Sequence, residues 1–193
     1  YLITFSSIII SCKPLSKISL GVKNPKFKEN NEIYNFAKKH DIELNSLFYF
    51  ENWDKMTEAF KARYSSIPNA YFFNKDGYYV DYKKTPSDCN AKVDDFIGSL
   101  ENFTTFKSDN DKNINQILPL IINDKKEELK QNDITVLISW ATFMGKVNDD
   151  KAFEWVKLLE VAKQNGIKLQ YYLINYDLNK SWNLTTLEEK EIE

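Results

Sequence analysis

One run of seven residues, Ile134-Thr135-Val136-Leu137-Ile138-Ser139-Trp140, constrains this chain more than any other feature. It is uncharged, dominated by β-branched and aromatic side chains, and preceded by Asp133, so it reads as a strand buried in a core. Helical spacing follows over 149–165, with Phe153, Val156, Leu159 and Val161 apolar, and Gly166 stops that helix. A further aromatic-rich strand is expected over 167–176, and a helix from Thr185. Strand, helix, strand in this order predicts an α/β architecture.

The rest of the composition permits a substantial core. The chain has 193 residues, room for one large domain or two small ones; 42% are hydrophobic, and Gly and Pro number only 5 each. Charge is balanced at 26 basic against 28 acidic residues. No basic stripe is present to neutralise phosphates, which argues against a nucleic-acid partner. A single histidine, His40, and two distant cysteines cannot supply a zinc or copper cluster from these residue types. No metal or cofactor is therefore expected.

The first half alternates strand and helix. A short strand is expected over 18–22, broken by Asn24-Pro25. A helix over 30–40 places Ile33, Phe36 and Ala37 on one face, capped by Asn30 or Asn31. A buried strand spans 44–50, and Asn52 caps a helix over 53–64. Residues 66–82 read as strand, tight turn and strand, with Asp76-Gly77 the turn signal. A helix over 90–100 buries Val93, Phe96, Ile97 and Leu100. This gives a first unit at 18–103, a polar linker at 104–132 with an apolar turn inside it, and a second unit at 133–193.

Both units resemble the thioredoxin fold. In the first, Ile67-Pro68 ahead of the hairpin looks like the family's cis-proline, beside which an extended peptide binds. In the second, strand 134–140 runs into Ala141-Thr142-Phe143-Met144-Gly145-Lys146-Val147, similar to the Trp-Ala-Thr-Trp-Cys-Gly-Pro-Cys junction of thioredoxin-like envelope reductases. Trp140-Ala141-Thr142 and Gly145 match. The two cysteine positions fall on Met144 and Val147, and the proline position on Lys146. Asn175-Tyr176-Asp177 resembles the family's acidic turn at a strand end. The resemblance implies a thioredoxin-like central sheet flanked by helices, with a second, partial thioredoxin-like unit that ends before its own proline-hairpin half. Disulfide exchange needs a thiolate at the helix tip and a second thiol to resolve the mixed disulfide. A thioether and an isopropyl group supply neither.

The N-terminal residues read as an address. An apolar stretch to Ile10 is too short to span a bilayer, and Ile9-Ile10-Ser11-Cys12 resembles the lipobox of bacterial lipoproteins. That resemblance implies lipidation at Cys12, a signal and tether at 1–17, and a protein anchored to the bacterial envelope membrane, facing the periplasm or the surface. The competing reading is a first strand over 2–11.

Three functions are consistent with these residues. The first is a redox-inactive, thioredoxin-like envelope lipoprotein that holds a peptide or protein partner near Ile67 and Pro68. The second is a thiol-disulfide oxidoreductase or peroxidase-related protein using Cys89, which otherwise reads as a small, partly buried residue. The third is a structural subunit of an envelope assembly. The paired carboxylates Asp94-Asp95 and Asp149-Asp150 read as solvated helix starts, and His40 as a charge at a helix C-terminus.

Overall fold

The computed structural model describes residues 19–82, 92–123 and 132–192. The expected strand over 18–22 is instead a turn at 19–21, with Gly21 at φ +66°, and its backbone bonds go to a distant loop. Helix α1 (Asn30–Lys39) buries Ile33 and Ala37 one turn apart. The Glu32 carboxylate accepts from the Glu29 N–H at 3.0 Å, so the helix begins one residue ahead of the expected Asn cap. Strand β1 (Leu47–Phe50) leads into α2 (Trp53–Lys61), where Asn52 Oδ1 accepts from the Lys55 N–H at 2.9 Å, the expected cap.

Strands β2 (Asn69–Asn74) and β3 (Tyr78–Val80) form the expected hairpin. Asn74 Oδ1 accepts from the N–H groups of Asp76 and Tyr78, both at 3.0 Å, and Gly77 takes φ +81°, which a side chain rarely tolerates. Helix α3 (Val93–Ile97) is followed by β4 (Ser108–Asn113), β5 (Ile121–Ile122) and the long apolar β6 (Ile134–Trp140). A π-helical turn, Asn148–Phe153, opens α4 (Glu154–Gln164); β7 (Leu169–Asn175) and α5 (Thr186–Ile192) complete the order.

All seven strands belong to one mixed sheet, in the order β4-β3-β2-β6-β7-β1-β5. β6 runs parallel to β7 over seven pairs and antiparallel to β2 from Asn69↔Ser139 to Asn74↔Ile134. Strands from the expected units at 18–103 and 133–193 thus share one sheet. The cause lies in β6 itself, every residue of which is buried. Its backbone needs hydrogen-bonding partners on both edges, and among the described residues after it only β7 is a strand. The first half supplies the other, β2. The linker expected over 104–132 is likewise structural. Residues 108–113 form one sheet edge, and Ile114, Ile117 and Leu120 are buried.

Alternation along β6 divides the core into two layers. Ile134, Val136, Ile138 and Trp140 face α1, α3 and α4, while Leu137 faces α2 and the turns after β4. Phe72 and Ala70 of β2 join the first layer; Tyr71 and Phe73 join the second. At the far edge, Asn123 Nδ2 donates to Leu47 O at 2.7 Å, tying the chain after β5 to the start of β1.

The outer strand β4 is polar, so its attachment needs another source. Lys112 supplies it. Its Nζ lies 4.5, 4.4 and 4.5 Å from the ring centroids of Tyr64, Tyr71 and Tyr79. The same Nζ donates to Arg63 O at 3.3 Å. Burial pushes the Tyr64, Tyr71 and Tyr79 phenols above their ordinary value, so the rings stay neutral and attract the ammonium through their π faces. Replacing Lys112 by Ala is expected to cost about 1–2 kcal/mol, the range for a partly desolvated cation–π contact. A lowered urea midpoint at unchanged m-value would show it; an unchanged midpoint would mean that the cage contributes nothing.

Candidate functional site

β6 and β7 end together, and the loops that leave them form one tip. Tyr176 N–H donates to Trp140 O at 2.8 Å, extending the parallel pair by one bond. The chain then turns through 142–144 and passes Gly145 at φ +56° before the π-helical turn. Met144 and Val147 are both half-buried here, and Phe143 and Met144 pack against the second core layer. Gly145 is placed between them where a Cβ would lie 2.4 Å from Gly21 O.

Asp177 holds this tip in shape. Its carboxylate accepts from the Thr142 N–H at 2.8 Å, the Thr142 hydroxyl at 2.7 Å and Asn175 Nδ2 at 2.7 Å. Its own N–H donates to Asn175 Oδ1 at 3.0 Å. The group is buried, and loss of solvent raises its pKa above the ordinary 3.8; the hydrogen bonds from Thr142 and Asn175 act against that shift. Behind the loop, buried Asn148 donates through Nδ2 to Ala141 O at 2.8 Å.

The other expected site residues lie alongside. Pro68 is buried, Ile67 is half-buried, and the peptide bond between them is cis. Pro68 immediately precedes β2, whose first residue pairs with Ser139, the penultimate residue of β6. Ser139 fixes this junction, because its Oγ accepts from the Asn69 N–H at 2.8 Å and donates to Ser66 O at 2.6 Å. The fold therefore brings Ile67-Pro68 and the 142–147 loop to one end of the sheet, although some seventy residues separate them. Cys12 and Cys89 lie outside the described residues.

Sequence reasoning missed the polar side chains that organise the tip. Ser139 reads as one more strand residue, and Thr142 as part of a motif match. Asp177 was visible only as a strand-end acid. Ser139 and Thr142 do not advertise their partners, because Ser66, Asn69 and Asp177 lie far away in the sequence. The Asp94 and Asp149 carboxylates are engaged as well: Asp94 accepts from Trp155 Nε1, and Asp149 Oδ1 lies 2.9 Å from His40 Nδ1. His40 lies between Phe36 and Phe153, each ring centroid 4.7 Å away and the planes tilted by 37° and 34°.

His40 also borders a groove of about 650 Å³. A His–Asp pair beside a groove invites comparison with a nucleophilic site. Ser46, on the same groove, directs its hydroxyl to Glu43 O at 2.8 Å, while Lys157 and Lys163 are paired with Glu154 and Glu160. The Ser46 hydroxyl and both lysine ammoniums of the groove are thus already engaged. Among the described residues no cluster of three or more His, Cys, Asp or Glu side chains converges as a metal site, and no helix is long and apolar enough to cross a membrane. No family model, no curated protein and no solved structure matches this chain.

Two measurements test this geometry. Ser139→Ala leaves the buried Asn69 N–H without its acceptor and is expected to cost about 1–3 kcal/mol in denaturant unfolding. The raised Asp177 carboxyl also has a signed consequence. The folded state holds that proton more tightly than the unfolded chain, so stability falls as pH rises from 3.8 through the folded value and is level above it. Wild-type stability measured relative to Asp177→Asn should fall across that window; a difference that rises with pH would contradict the assignment.

Proposed function

We propose that this chain is a redox-inactive, thioredoxin-like binding module of a bacterial envelope lipoprotein, which holds a peptide or protein partner at the tip formed by Ile67, Pro68 and the 142–147 loop. The observation that carries the reading is the occupancy of the helix-start loop by Met144 and Val147, where the family's chemistry needs two thiols. A thioether cannot ionise to a nucleophile, and an isopropyl group cannot resolve a mixed disulfide.

The arrangement of strands supports the thioredoxin-like part. β6 is parallel to β7 across α4, antiparallel to β2, and β2 is hairpin-paired to β3. The family places the motif strand before the proline and hairpin in the chain. Here the proline and hairpin come first, at 68–80, and the motif strand second, at 134–140. The reading is therefore a single sheet with its halves in reversed chain order, not two units. Lipid anchoring at Cys12 and placement in the envelope rest on the lipobox resemblance alone.

Binding without catalysis makes a sharp expectation. In an insulin-reduction assay, wild type and Cys89→Ser should both show no turnover above buffer; turnover by wild type that Cys89→Ser abolishes would overturn the proposal in favour of a redox protein. A partner crosslinked to the tip in envelope extracts should bind Ile67→Asp at least about tenfold more weakly, or about 1.4 kcal/mol. Unchanged affinity would remove Ile67 from the site.

A further inference from the structure

The 142–147 loop is already bedded against another part of the same chain. Lys146 N–H donates to Leu20 O at 2.9 Å, and Lys23 N–H donates to Phe143 O at 2.8 Å. Two main-chain bonds thus flank the point where residues 20–23 cross the loop. At that point Gly145 has no side chain, and a Cβ there would lie 2.4 Å from Gly21 O and 2.6 Å from Leu20 O. These distances are far inside van der Waals contact, so the crossing depends on glycine at 145.

The crossing segment is anchored a second time further along. Phe27 is buried edge-on against Trp182, with ring centroids 6.3 Å apart. Lys28 N–H donates to Leu178 O at 2.8 Å, and Lys180 N–H donates to Lys28 O at 3.0 Å. Between the anchors, Lys23, Asn24, Pro25 and Lys26 are exposed. The bonds at the loop are main chain to main chain, so the loop reads the course of a backbone, which at Gly21 takes φ +66°, a conformation that favours glycine.

We propose that loop 143–146 is a docking site for a polypeptide segment that turns through a glycine at the crossing, and that residues 20–23, with Gly21 at φ +66°, are its resident occupant. An external peptide then binds only when this strap lifts, so the strap is an internal competitor that sets the site's apparent affinity. The proposal rests on the reading of the tip as a binding face and adds to it the means of control.

The test uses the full chain carrying Phe27→Ser and Lys28→Pro, which remove the second anchor and leave loop 143–146 untouched. The probe is a fluorescein-labelled synthetic peptide of residues 19–28, followed by anisotropy. The released variant should bind it at least about tenfold more tightly than wild type, as expected once an internal competitor is removed. Adding Gly145→Val should abolish that binding. A released variant that retains a cooperative melt but gains no affinity overturns the proposal, as does binding that Gly145→Val leaves unchanged. Amide exchange in wild type provides a measurement that needs no variant. The Lys23 and Lys146 amides should open together, with rates within about threefold of each other; rates about a hundredfold apart overturn the strap as a unit. The two readings fail separately, since Gly145→Val interrogates the strap's bed and Ile67→Asp interrogates the partner surface beside it.

Discussion

The whole structure depends on the burial of β6 on both faces and both edges. Its seven residues carry no charge and are all buried, so each backbone N–H and C=O must find a partner inside the protein. β7 supplies one edge from nearby in sequence, and β2 supplies the other from more than sixty residues away. Once β2 is committed, the hairpin partner β3 and the polar edge β4 follow it into the sheet. The far edge follows from β7 in the same way, through β1 and β5. A chain whose composition permits two small domains is thereby drawn into one sheet.

The same constraint builds the tip. Because β2 begins where β6 ends, Ser139 reaches the turn before Asn69, and Ile67-Pro68 arrives beside the 142–147 loop. Because β6 and β7 end in register, Asp177 reaches back to Thr142. These polar contacts are buried or partly buried, where hydrogen bonds are stronger and the loss of one partner is costly. The tip is in this sense overdetermined: two neighbouring strands each send a polar group to fix it, and the segment at 20–23 crosses its outer side.

The loop at the tip carries apolar side chains in place of reactive ones. Met144 and Val147 are half-buried apolar side chains, and Phe143 and Met144 pack against the second core layer. Gly145 retains a reason to be glycine that is independent of any reaction: the backbone at 20–21 passes where its side chain would be.

The sequence alone determined the local elements: the buried strand 134–140, the helix before Gly166, the hairpin at Asp76-Gly77 and the Asn52 cap. These follow from periodicity and from turn and cap chemistry, which act over a few residues and leave a direct trace in the order of side chains. It also determined that Met144 and Val147 cannot exchange disulfides, since that is a property of the side chains themselves. The boundaries between units, the structural role of 108–122 and the fate of 20–23 were decided only by tertiary structure. Each depends on which distant strand edge or loop was left unsatisfied, and a strand's pattern records how it is buried but not by whom. Polar residues such as Ser139, Asn148 and Asp177 were the least legible, because a hydrogen bond's partner is chosen in space while its donor is read in sequence.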